Sequence, residues 1–198
     1  MSSARAEAPV ADERLWLLRT VTVLVAPREV FAGLRDDSDA TARARSEAVL
    51  ALVLLSGIGS VLWTPVAGTL LNDVTLDWLD AAVWAFLGGG IYAVAVYFAG
   101  GLVLHWATRI VGGTTYRQAR HLLAFASAPL ALSLVVVWPV RLAVYGEDVF
   151  RSGGSDHGPG NAVFVALELA LVAWAIGLLA LGLRELYRRL ETPVDVLG

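Results

Sequence analysis

The sequence predicts an all-α integral membrane protein, a bundle of about four transmembrane helices preceded by an interfacial amphipathic helix. Three observations predict it. First, the 198 residues are 57% hydrophobic and only 17% charged, with a mean hydropathy of +0.66; a soluble domain carries about 25% charged residues. Second, the charges crowd into the first 47 residues, a few loops and the C-terminal tail. The apolar runs between them reach the length, about 18 residues or more, that crosses a hydrocarbon core. Third, the arginines fall almost entirely on one side of those runs.

Residues 1–13 read as a disordered, polar, alanine-rich tail, with no signal-peptide apolar core after it. Residues 14–37 form an amphipathic interfacial segment. Leu15, Leu18, Thr22 and Val25 share one helical face, Trp16 and Phe31 add apolar bulk, and Arg14, Arg19 and Arg28 supply charge. Pro27 suits the first position of a second short helix. The bland alternative is a soluble helix packed under the bundle.

Residues 38–190 make the bundle, and 191–198 a tail. Ser38 and Asp39 are a plausible N-cap, and the helix they start is expected to carry Arg43, Arg45 and Glu47 in water before entering lipid. The spans run over about 49–71, 81–108, 122–145 and 162–183. Pro65 is expected to kink the first. The second is long for a core of about 30 Å and is expected to tilt. The third contains Pro129 and Pro139.

Orientation follows from the 15 basic residues, all arginine. Seven precede the first span (Arg5, Arg14, Arg19, Arg28, Arg35, Arg43, Arg45), three lie between spans two and three (Arg109, Arg117, Arg120), and three follow the last (Arg184, Arg188, Arg189). Only Arg141 and Arg151 lie on the other side, where Asp73, Asp77 and Asp80 also sit. The positive-inside bias places both termini in the cytoplasm and the chain, multi-pass, in a cytoplasmic (inner) membrane. Trp78, Trp84 and Trp138 are expected at the outer interface, Trp106 at the inner one.

Few residues could carry chemistry. Glu168 and Arg141 lie within spans, where a lone charge costs about 2.5–3.5 kcal/mol on insertion scales, so they are expected to pair as a clamp between spans three and four. A substrate or proton site there is the functional alternative, and simple snorkelling to the interface the remaining one. His105 and His121 flank one loop and are expected at headgroup level, with metal binding or pH sensing the functional alternative. His157 and Asp156 sit in a Gly-rich outer loop and do not make a metal site. Ala85, Gly89 and Ala93 repeat at helix-packing spacing, as do Ala124 with Ala128, Ala166 with Ala170, and Ala173 with Gly177. These surfaces suit packing within the bundle or against a partner. Gly88, Gly89 and Gly90 mark a hinge, a break or a very close contact. With no cysteine and no catalytic or nucleotide motif, no catalytic residue, metal or cofactor is expected.

The stretch GGTTYRQARHLLAFASAP at 112–129 resembles the Yip1 domain family. The resemblance rests on Gly112, Gly113, Tyr116, Arg117, Gln118, Ala128 and Pro129. The segment APREVFAGLRDD at 26–37, with Pro27, Phe31 and Leu34, is similar to the family's entry segment, and GLRELY at 182–187 to its exit. The resemblance implies a multi-pass helical membrane protein of the bacterial type. Many members are described with five spans, whereas this sequence offers four long ones. Eukaryotic members work in vesicle trafficking with small GTPases, a role that fold likeness does not transfer.

The leading functional reading is a non-enzymatic membrane scaffold or accessory subunit that binds other integral membrane proteins, for example in a transport complex such as a lipid transporter. The alternative is a small transporter or channel-like protein with a polar site at Glu168 and Arg141. Expected partners are the lipid bilayer and other integral membrane proteins, without nucleic acid; the sequence also allows a homo-oligomer.

Overall fold

A computed structural model of the chain describes residues 8–64, 78–110, 113–146, 149 and 158–187. The outer part of the first span with Pro65, the acidic stretch with Asp73 and Asp77, Gly112, the loop with Asp156 and His157, the first seven residues and the C-terminal tail lie outside the described residues, as do the side chains of Trp16 and Trp78; residues 8–13, expected to belong to a disordered tail, are helical.

Two helices open the chain, α1 (Ala8–Val25) and α2 (Pro27–Gly33). Pro27 takes the first turn of α2, as expected, because that position has no intrahelical N–H bond to lose. A short α3 (Asp39–Ala44) follows. Its N-cap is Ser38, whose hydroxyl accepts the Thr41 N–H at 3.4 Å. The helix does not run on into the membrane. It stops at Arg45, and α4 (Ser46–Leu62) starts afresh.

Three long apolar helical runs come next. α5 (Trp78–Ala95) passes through a wide π turn, Val96–Gly100, into α6 (Gly101–Arg109). The third run is α7 (Tyr116–Ala126), α8 (Ala128–Leu132), a second π turn at Ser133–Val137, and α9 (Trp138–Tyr145). The last is α10 (Pro159–Tyr187). Their lengths of 28, 30 and 29 residues, counted over Ala82–Arg109, Tyr116–Tyr145 and Pro159–Tyr187, are enough to cross a membrane. At about 1.5 Å per residue each exceeds a hydrocarbon core of about 30 Å. The apolar α4, at 17 residues, is shorter within the described residues. No strand occurs among the described residues.

The prolines explain the breaks in the third run. Pro129 begins α8 after Ser127, whose carbonyl accepts from Leu130 at 2.9 Å and Ala131 at 3.2 Å. Pro139 cannot donate to the turn before it, and its ring crowds that turn; the widened winding at Ser133–Val137 takes up the mismatch.

The chain divides into two compact units. One comprises Met1–Ala51, Tyr97–Ala126 and Ile176–Gly198. Its core is Val23, Val30, Phe31, Leu34, Ala119, Leu122 and Phe125, all buried. Gly182 lies against Leu122 and Phe31, which bring α2, α7 and α10 together. The other unit comprises Leu52–Val96 and Ser127–Ala175. Its core includes Leu52, Val53, Ala93, Ala131, Val137 and Trp138. Here α4 and α5 approach backbone to backbone: a Cβ added to Gly89 would lie 2.6 Å from Ile58 Cα, and Gly57 faces Gly89 and Ala93.

The expectation for Arg45 is corrected. Arg45 is not in water; its exposure is 0%. Trp138 is buried and meets Trp63 edge-on, with ring centroids 5.6 Å apart, a favoured geometry for an aromatic pair.

Candidate functional site

The densest polar arrangement among the described residues is built around Arg45, a residue singled out in the sequence only for its charge. Arg45 lies in the break between α3 and α4, so its side chain leaves the helix axis and turns inward. Its Nε donates to His121 Nδ1 at 2.7 Å, one terminal nitrogen to the Asp36 carbonyl at 2.9 Å, and the other to Asp37 Oδ1 at 3.0 Å. Because Nδ1 of His121 accepts, the ring is neutral and carries its proton on Nε2. Burial pulls the Arg45 pKa down and the Asp37 carboxylate opposes that pull.

Asp37 is the second hub. Oδ1 also accepts from Arg117 Nε at 2.8 Å, and Oδ2 from the Thr115 hydroxyl at 2.6 Å. Arg117 further donates to the Asp37 carbonyl and, at 2.7 Å, to Asp39 Oδ1. The Arg117 hydrogen bond holds the Asp39 carboxyl below its usual range, and the Thr41 hydroxyl with the Ser38 N–H does the same for Asp36. Gln118 reaches the carbonyls of Leu34 and Arg35, both at 3.4 Å. Arg35 pairs with Glu185 Oε1 at 2.5 Å and donates to the Glu185 carbonyl at 2.7 Å. Residues 35–39 are thus tied to Arg45, α7 and α10 by charge-assisted hydrogen bonds.

The neighbouring turn is closed in the same manner. Gly113, at φ +71°, donates its N–H to the Thr108 carbonyl at 3.1 Å. His105 Nδ1 contacts the Thr114 carbonyl at 2.7 Å, and Tyr187 donates to the Thr108 carbonyl at 3.2 Å. Both histidines are therefore structural hydrogen-bonding groups.

In the other unit, Glu168 Oε2 accepts the Ser133 hydroxyl at 2.5 Å. The buried Arg141 guanidinium lies 4.3 Å from the Trp63 ring centroid and 5.1 Å from that of Trp138, and donates to Asn161 Oδ1 at 3.2 Å. Arg141 also acts electrostatically on the Glu168 carboxylate.

The small residues divide. Gly89 and Ala93 are buried against α4, and Ala85 is buried as well. A Cβ added to Gly88 would lie 3.8 Å from Val61, and one added to Gly90 would meet nothing within 4 Å. Of the three readings of the glycine triplet, the close contact is the one realised, at Gly89; α5 is continuous through it. In the amphipathic segment Phe31 is fully buried, whereas Leu15 and Leu18 are exposed, with Val21 and Val25 beside them. On α10, Ala166, Ala170, Ala173 and Gly177 are all exposed.

Sequence reasoning passed over Arg45, Asp37 and Arg117 as a set. A signal existed: an arginine between Ala44 and Ser46, directly before an apolar run, has no solvent-side helical pattern around it.

A family model, the Yip1 domain, matches residues 21–193. No curated protein and no solved structure matches the chain. The matched range contains every residue of the Arg45–Asp37 network and all three long apolar helices, and the chain belongs to the Yip1 domain family.

Proposed function

We propose that this protein is a non-enzymatic membrane scaffold or accessory subunit that binds other integral membrane proteins, in a transport complex such as a lipid transporter. The single observation that carries the reading is the face of α10 formed by Ala166, Ala170, Ala173 and Gly177. These residues follow each other at helical spacing, and each is exposed. A face of small residues lets a second helix approach closely in lipid, where dispersion and weak backbone contacts drive association. The exposed apolar stripe of α1 (Leu15, Leu18, Val21, Val25) supports it as a second contact. The chain resides in a cytoplasmic membrane with both termini inside, the reading that its arginine bias favours.

The test is purification from native membranes in mild detergent. A co-eluting membrane protein should be lost on Ala170→Leu with Gly177→Leu, or on Leu15→Ser with Leu18→Ser, while the chain still inserts. Binding that survives both pairs of changes removes the reading.

A small transporter is the second reading, favoured by Glu168, a carboxylate only partly buried at span depth with Arg141 acting on it. Glu168→Gln should then abolish uptake in reconstituted vesicles while leaving partner binding intact.

A further inference from the structure

Arg120 has an environment unlike that of any arginine in the network described above. Its guanidinium is held between three rings, 4.5 Å from the Tyr116 centroid, 4.9 Å from Phe98 and 5.1 Å from Tyr97. Its Nε is buried without a hydrogen-bond partner. Among the described residues it makes no hydrogen bond and no ion pair. The cage is built by the fold. The π turn Val96–Gly100 presents Tyr97 and Phe98, and the Tyr116 hydroxyl donates to the Phe98 carbonyl at 3.0 Å, fixing two of the walls. Gly101 lets the Arg120 stem pass, since any Cβ there would overlap Arg120 Cγ.

Aromatic faces hold a cation in place but do not neutralise it. The carboxylates within the same unit that make ion pairs are committed elsewhere: Asp37 and Asp39 to Arg45 and Arg117, Glu185 to Arg35. Arg120 lies four residues after Tyr116, where the long apolar helix begins, about 6 Å along the axis. A residue so near the end of a membrane-length helix belongs to its interfacial turns, and a planar forked cation there matches a phosphodiester.

We propose that Arg120, with Tyr97, Phe98 and Tyr116, forms a binding site for the phosphate of an anionic lipid headgroup. The rings preorganise the guanidinium and the apolar flank of α6 accepts the acyl chains, with Leu102, Val103 and Trp106 exposed there.

The test uses the purified full chain in detergent, with thermal melting read after adding phosphatidylglycerol, phosphatidylcholine or inorganic phosphate. Phosphatidylglycerol should raise the wild-type Tm more than phosphatidylcholine does, and inorganic phosphate should have little effect. Arg120→Gln should weaken phosphatidylglycerol binding about tenfold, the loss of roughly one charge-assisted contact, while Arg109→Gln, which removes an exposed arginine from the end of α6, should leave it unchanged. Equal shifts from the two lipids, a full shift from inorganic phosphate, or an undiminished shift in Arg120→Gln each overturn the proposal. If Arg120→Gln does not fold, Phe98→Leu keeps the charge and opens one wall. A shift equal to wild type in that variant overturns the proposal, and a reduced one supports it.

Discussion

Asp37 holds two arginines at once, and one of them, Arg45, has no contact with solvent. Removing the shared carboxylate takes away the ion-pair partner of a fully buried cation. Asp37→Asn should therefore destabilise the protein by about 3–5 kcal/mol, read as a lowered melting midpoint in detergent. Asp39, whose side chain is 75% exposed, pairs with Arg117 at the surface; Asp39→Asn should shift the midpoint far less. A similar loss in both variants would place the hub elsewhere. Arg141 and Glu168 make the second residue-scale case. If they balance each other, Arg141→Met combined with Glu168→Leu should recover much of the stability that Glu168→Gln loses. A double variant as unstable as the two singles added together would mean that Ser133, Asn161 and the two tryptophans satisfy each residue separately. That charges lie at 141 and 168 was legible in the sequence. Their contacts with Ser133, Asn161 and Trp63 were not, because residues far apart in sequence meet only once the helices are packed.

Helix positions that look alike in sequence differ in what faces them. Gly89 and Gly90 are adjacent, yet a Cβ on Gly89 meets the backbone of Ile58 and one on Gly90 meets nothing within 4 Å. Gly89→Ala should thus cost about 1–3 kcal/mol through overpacking, whereas Gly90→Ala should be neutral or stabilising by up to about 1 kcal/mol. Thermal melting of the two variants checks the contrast, and equal behaviour would mean that α4 and α5 do not make this contact. The same geometry makes Gly89→Leu a poor probe of partner binding, since it would injure the fold itself. Other features of the elements were legible at this scale. The Ser38 cap, Pro27 at the start of α2 and the interruptions at Pro129 and Pro139 all follow from local backbone chemistry. The π turn at Val96–Gly100 was not legible. It contains no proline, and the Tyr116 and Arg120 side chains that pack beside it come from α7, later in the chain.

For the whole molecule, the arginine bias makes a topological claim. A reporter fused after Gly198 should read cytoplasmic, and one placed in the 153–160 loop should not. The opposite result at Gly198 would reverse the placement of both termini. The sequence by itself determined the class of the protein, the three long apolar helices and the Yip1 resemblance. Span length, charge deficit and capping are properties of contiguous residues, and a bilayer demands helices wherever such runs occur. Only the tertiary structure decided which arginine is buried, which small-residue face is used inside the protein, and which histidine accepts a hydrogen bond. Arg43 and Arg45 are two residues apart in the same polar stretch, yet one is exposed and the other is enclosed by Asp36, Asp37 and His121. The break between α3 and α4 turns Arg45 toward α7, and the desolvation of a cation is tolerated only where partners from distant parts of the chain converge on it.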